Sequence, residues 1–243
     1  MRIKIINPDA GMSREELEQR EKMLMSIARP DTVISMDCLT ETNVCIDSLT
    51  DVALAGAEIV KRALLAEKEG FDAVGLYCLS DPAINACREM LTIPVLGGGQ
   101  TAFQVACGLG YRFSLLTTSQ QRVAQKSEFV RTTGVDISRL ASVRSVELGL
   151  ENIRANLDVT LAKLVAAGKE CKEKDDAQVI ILGCLSFAGL GKAVAEQIGI
   201  PVVDPAFTLI SMIELCCLQG LCHSKSSYPC PKSIPRWWNA GKI

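Results

Sequence analysis

FDAVGLYCLSDPAINACREMLTIPV, residues 71–95, and AQVIILGCLSFAGLGKAVAEQIGIPV, residues 177–202, are two versions of one pattern. Each opens on an apolar run ending in Cys-Leu-Ser, passes through a helix-like segment and closes on Ile-Pro-Val. Cys78 and Ile93 lie 15 positions apart, Cys184 and Ile200 lie 16 apart, and the two cysteines are separated by 106 residues. Spacing this constant marks an internal repeat, and with it two copies of one structural unit. Near-continuous apolar runs of this length read as parallel strands buried on both faces. In each copy a thiol stands where the strand ends.

Working outward, the same grammar covers the chain. IKIIN (3–7), TVISM (32–36), DAVGLYC (72–78) and PVLGG (94–98) read as strands of a first half. RFSLLTT (112–118), ASVRSV (141–146), QVIILGC (178–184) and PVVD (201–204) read as their counterparts. Helical patterns separate them, over about 13–28, 51–69, 101–109, 120–133, 151–170, 189–198 and 206–218. Ser13 with Glu16 is a capping-box start, and Asp81-Pro82 reads as a cap and first-turn proline for the helix after Cys78. Strands alternating with helices predict right-handed crossovers. The expected fold is therefore α/β, with two pseudo-twofold-related, doubly wound parallel-sheet lobes and the active site in the cleft between them. The expected divisions are a first lobe over 1–99, joined by the C-terminal helix 206–220, a second lobe over 100–205, and an extended tail over 221–243. Trp237 and Trp238 in that tail are expected to pack on the body or on a neighbouring subunit.

Composition narrows the function. Net charge is −2 with dispersed charges, which lacks the basic footprint of a nucleic-acid binder. No apolar run reaches membrane-spanning length, and MRIKIINPDAG lacks the apolar core and cleavage site of a signal peptide. A cytoplasmic protein is expected, with a small-molecule substrate, no nucleic-acid or membrane partner, and a homo-oligomeric state. Eleven cysteines in such a chain read as buried thiols, ligands or nucleophiles rather than disulfides. Cys38, Cys45, Cys87, Cys107 and Cys171 stand singly in segments that look structural.

Ligands of doubly wound folds bind at the carboxyl ends of the strands, where Asn7, Cys78, Thr117, Thr118 and Cys184 converge. A thiol at the head of a helix is expected to ionise more readily; the structural alternative is that Cys78 and Cys184 only fill tight turns. Ser80 and Ser186, two residues beyond each cysteine, either cap those turns or bind a ligand. Gly183 and Leu185 flank the second thiol. Thr117 and Thr118 either cap the next helix or bind a substrate carbonyl. Two opposed acid–base groups suit inversion at a carbon acid, with one thiolate removing a proton from one face and one thiol protonating the other. Acyl transfer would need a base beside the cysteine, and the one histidine, His223, lies in the tail. Gly97-Gly98-Gly99 lacks the dinucleotide-binding spacing, and Cys216, Cys217, Cys222, His223 and Cys230 lack paired CxxC units. Neither a cofactor nor a metal is expected.

The chain resembles the aspartate/glutamate/hydantoin racemase superfamily, and within it the hydantoin and allantoin racemases. The resemblance is carried by INP at 6–8, CLSDP at 78–82, PVLGGG at 94–99, LLTT at 115–118, ILGC at 181–184 and PVVDP at 201–205. It implies the two-lobed fold, cofactor-independent racemisation by Cys78 and Cys184, and a substrate cleft lined by Asn7, Ser80, Thr117, Thr118 and the backbone near Gly98. Relatives of the hydantoin branch usually continue the second cysteine as Cys-Ala-Gly-Met. Here the segment reads CLSFAGL, so Leu185 and Phe187 are expected to reshape the pocket. Asn7-Pro8 in place of an Asp-Ser pair argues against a free α-amino acid substrate. The expected substrate is a 5-substituted hydantoin or allantoin, with a maleate-type isomerase, a decarboxylase, an amino-acid racemase or a binding protein as alternatives.

Overall fold

Two four-stranded parallel sheets carry the chain in this computed structural model, which describes residues 1–232. The first is built from β1 (Arg2–Ala10), β2 (Val33–Leu39), β3 (Ala73–Leu76) and β4 (Val95–Gly97), in the order β2-β1-β3-β4. The second is built from β5 (Phe113–Thr117), β6 (Leu140–Ser145), β7 (Val179–Leu182) and β8 (Val202–Val203), in the matching order β6-β5-β7-β8. The repeated sequence pattern is thus a repeated topology, and β3 and β7, which lead to the two cysteines, occupy equivalent places. Every residue of β3, β5 and β7 is buried, so apolar side chains fill both faces.

Crossover helices are α1 (Arg14–Met25), α2 (Leu49–Lys68), α3 (Ile84–Met90), α4 (Gly98–Leu109), α5 (Val123–Thr132), α6 (Leu150–Ile153), α7 (Leu157–Asp175), α8 (Gly191–Ile198) and α9 (Pro205–Leu218). Ser13 and Glu16 form the expected reciprocal cap at the start of α1. The helix expected over 151–170 is interrupted at 154–156, where Asn156 accepts the Val159 N–H and starts α7 afresh. A larger departure concerns Asp81-Pro82. The next helix starts only at Ile84, after Ala83 in a left-handed conformation, and Asp81 itself has φ +44° and caps a different helix.

Residues cluster into two compact units. The first holds Met1–Leu76, Pro82–Leu96 and the described residues from Ile210 to 232; the second holds Tyr77–Asp81 and Gly97–Leu209. The first unit's core gathers Ile3, Ile5, Ile6, Met36, Ile59 and Leu76, all at or near full burial. In the second unit Leu116, Ile180 and Leu182 pack with Ile153, Leu164 and Phe187. The start of the tail is tied to the first unit. Lys225 Nζ donates to the carbonyls of Arg88, Glu89 and Leu91 at the end of α3, as suits a cation at a helix C-terminus. Trp237 and Trp238 lie outside the described residues.

Glu58 on α2 holds the loop after β2. Burial pushes its carboxyl upward, but the Thr40, Glu41 and Thr42 N–H groups and Arg62 outweigh that and bring the pKa down to about 2. Glu58→Gln is expected to lower unfolding stability at pH 7 by about 1–3 kcal/mol in urea titrations. The native carboxylate takes up its proton at lower pH than the unfolded one. The difference between wild type and variant should therefore be full above the ordinary value of 4.5 and vanish as pH falls towards 2.

Candidate active site

The site is described within the second unit, to which both cysteines belong. Cys78 comes two residues after the end of β3 and Cys184 two residues after the end of β7. Each carbonyl then closes a tight turn: Cys78 O accepts the Asp81 N–H at 3.2 Å and Cys184 O accepts the Phe187 N–H at 3.0 Å. Both thiols are half-buried and reduced. The two turns are joined directly, because Tyr77 Oη donates to Leu185 O at 3.0 Å. A tyrosine hydroxyl buried among apolar atoms must find such a partner, so this bond anchors the two turns to each other.

Neither cysteine heads an α-helix, contrary to the sequence expectation. α3 begins six residues after Cys78; a 3₁₀ turn over Leu185–Phe187 follows Cys184, and α8 begins only at Gly191. The positive charge near the thiols comes instead from a side chain. Lys126, on α5, is buried and donates from Nζ to Ser80 Oγ at 2.9 Å. It interacts electrostatically with Cys78, Cys184, Asp81 and Arg122. Burial is the strongest influence on this ammonium and lowers its pKa; Cys78, Cys184 and Asp81 pull it back up. Sequence reading passed over Lys126. The available signal was its register, for Arg122 just before α5 and Lys126 and Val130 on it are spaced four apart along one helical stripe, and all three are buried.

Two buried carboxylates shape the turns around the thiols. Asp81, three residues beyond Cys78, accepts the Gly99 N–H (2.9 Å) and the Gln100 N–H (2.7 Å), and so caps α4. Asp204 accepts the Ala206 N–H (3.1 Å) at the start of α9 and reaches back to the Gly189 N–H (2.7 Å) in the loop after Cys184. Each carboxylate thus ties a cysteine turn to the start of a helix. Burial raises the Asp204 carboxyl above its ordinary value, against the pull of the Gly189, Ala206 and Phe207 N–H groups and Arg154.

The remaining sequence candidates are distributed as follows. Thr117 ends β5, and its buried Oγ1 finds no hydrogen-bond partner among the described residues. Thr118 is buried beside it and its carbonyl accepts the Leu148 N–H. Gly183 packs against this strand end, with its N–H on Leu116 O at 2.6 Å. Gly98 faces Leu185, and Ser186 is half-buried in the turn after Cys184. Ser80 holds Lys126 rather than its own turn. Asn7 belongs to the first unit, where its Nδ2 donates to Met12 Sδ at 2.6 Å. His223 also lies in the first unit; its Nε2 accepts the Val95 N–H at 2.9 Å, and burial lowers its pKa. Among the described residues no cluster of His, Cys, Asp and Glu is arranged to hold a metal, and no helix is long and apolar enough to cross a membrane.

Duplicated parallel sheets with matched strand-end thiols define a two-lobed α/β enzyme, with its candidate chemistry on the turns after β3 and β7. The chain belongs to the Asp/Glu/hydantoin racemase family, whose sequence profile matches residues 3–213, and it is an isomerase. The hydantoin racemase of Pseudomonas sp. (strain NS671) is 28% identical over 215 residues, covering 88% of this chain and 85% of that protein. The crystal structure of allantoin racemase from Pseudomonas fluorescens matches with a TM-score of 0.89 at 24% identity, over 97% of this chain and 99% of that one. A liganded mutant of arylmalonate decarboxylase shares the fold more distantly, with a TM-score of 0.70 at 16% identity over 92% and 95% of the two chains.

The glycines around the site are expected to differ in tolerance. A Cβ at Gly99 would collide with the Leu79 carbonyl, and one at Gly183 with the Leu116 carbonyl; neither backbone can yield cheaply. At Gly98 it would press on the Leu185 methyl groups, at 3.0 and 3.1 Å, and meet the Cys78 carbonyl oxygen at an ordinary contact distance of 3.5 Å. Thermal unfolding should show Gly99→Ala and Gly183→Ala destabilised by about 1–3 kcal/mol, with Gly98→Ala affected less.

Proposed function

We propose that this chain is a cofactor-independent racemase that inverts a carbon α to a carbonyl, with a 5-substituted hydantoin or allantoin as substrate and Cys78 and Cys184 as its acid–base pair. One observation carries this reading: two half-buried thiols stand at equivalent strand ends, in turns of the same form, joined by Tyr77 and both within electrostatic reach of Lys126. The hydantoin racemase relative and the allantoin racemase fold support the choice of substrate class.

In the proposed reaction one thiolate takes the proton from the stereocentre, and the electron pair moves onto the adjacent carbonyl as an enolate. The other cysteine, still a thiol, returns a proton to the opposite face. The products are the other enantiomer and a pair with its protonation reversed, so the next molecule runs in the opposite sense. No redox equivalent or carbonyl-trapping group is required. In this reading the Thr117 hydroxyl, buried and without a hydrogen-bond partner among the described residues, donates to the developing oxyanion, where a hydrogen bond strengthens as charge grows. Histidine-assisted acyl transfer is disfavoured because His223 already accepts the Val95 N–H.

The test follows optical rotation and deuterium uptake together in deuterated water, using enantiopure allantoin, 5-alkyl and 5-aryl hydantoins, aspartate and glutamate, with an arylmalonate for carbon dioxide release. Loss of rotation with uptake of one deuterium at the stereocentre of a hydantoin or allantoin is expected. Cys78→Ala and Cys184→Ala should each reduce turnover by at least about a thousandfold. Racemisation retained in both single variants would overturn the two-thiol assignment, and decarboxylation without racemisation would overturn the substrate class.

A further inference from the structure

A lysine is one of the side chains least often buried, because an ammonium removed from water without a counter-charge is strongly penalised. Lys126 is only 5% exposed. Its hydrogen bond to Ser80 Oγ satisfies one of three donors but supplies no negative charge. The titratable and charged groups that face it are Cys78 and Asp81 from the turn after β3, Cys184 from the turn after β7, and Arg122 from one turn earlier on its own stretch of chain. Asp81 accepts the two N–H groups at the start of α4, and in formal charge it balances Arg122. Lys126 is then left with one positive charge and two thiols to neutralise it.

While Lys126 carries its proton, that count has one neutral solution. With both thiols protonated the cluster holds a buried +1, and with both ionised it holds −1. With a single thiolate it is neutral. From this geometry we infer, resting on the two-thiol reading of the site, that Lys126 is the counter-ion that keeps the cysteine pair singly ionised, one thiolate and one thiol. Racemisation by two thiols needs this state, because a doubly protonated pair has no base and a doubly ionised pair has no acid. Lys126 is accordingly a positioning residue: it acts through the thiols, and Ser80 holds its ammonium in place. Since it interacts with both cysteines, the ion pair persists when the charge passes from one sulfur to the other during turnover. The two thiols and the lysine titrate as a coupled group.

The experiment is alkylation of the full-length protein by iodoacetamide across pH, with modification at Cys78 and Cys184 followed by peptide mass spectrometry. In the wild type one of the two thiols should react with a midpoint below the free-thiol value of about 8.5, and its modification should suppress reaction at the other. Lys126→Met should raise that midpoint by about one unit or more, which slows alkylation at pH 7 about tenfold. Lys126→Arg, which keeps the charge, should stay close to wild type. A folded Lys126→Met protein with an unchanged midpoint, or simultaneous ionisation of both thiols in the wild type, would overturn the assignment. Should Lys126→Met fail to fold, lysine ¹⁵N NMR of the wild type decides: blocking the reactive thiol must lower the Lys126 midpoint, and an unmoved midpoint rejects the pairing. Thiol titration is independent of substrate. A shifted midpoint without racemisation of any compound would therefore keep the ion pair and discard the proposed reaction, whereas racemisation with an unshifted midpoint would do the reverse.

Discussion

A parallel strand buried on both faces can present functional groups only beyond its carboxyl end, because along its length every side chain is committed to packing. β3 and β7 are such strands, with all four residues of each buried. Two residues past the end of each, the chain has left the sheet but not yet entered a helix, and there it places a cysteine. Duplication of this constraint makes the site. Parallel sheets of the same strand order put the two thiols in equivalent positions, and the Tyr77–Leu185 bond joins the turns that carry them.

Turns released from the sheet must be held by something else, and here buried carboxylates do it. Asp81, itself in the turn after Cys78, binds the Gly99 and Gln100 N–H groups at the start of α4, and Asp204 binds the Ala206 N–H at the start of α9 and the Gly189 N–H in the loop after Cys184. Such bonds cost the carboxylate its hydration but satisfy donors that a helix end leaves open. Glycines complete the arrangement by letting backbone approach backbone, as where Gly183 donates to Leu116 O and leaves no room for a Cβ. Packing at the site is therefore tight in the backbone and polar in its fastenings, and the thiols are the groups left half-exposed.

Much of this was legible in the residues themselves. The capping box at Ser13, the apolar runs before Cys78 and Cys184, and the equal spacing of the two copies each depend on neighbours within a few positions or on direct comparison of one segment with another. The same is true of Thr117 and Thr118, which the strand pattern alone places at the carboxyl end of β5. Asp81-Pro82 shows where that kind of reading stops. As a local pattern it is a helix cap, yet the carboxylate serves N–H groups 18 and 19 positions later, and the helix it was expected to start begins at Ile84. Lys126 is a second instance, since a lysine on a polar helical stretch reads as solvated until its neighbours are known.

What the sequence by itself determined was the alternation of strands and helices, the duplication, and the two thiols at matching strand ends, because these follow from periodicity and spacing along the chain. The tertiary structure alone decided which partners the polar side chains meet. Ser80 and Lys126 are 46 positions apart, and Tyr77 and Leu185 are 108 apart. Contacts at such separations come from the packing of the turns after β3 and β7 with each other and with α5. No local preference encodes them.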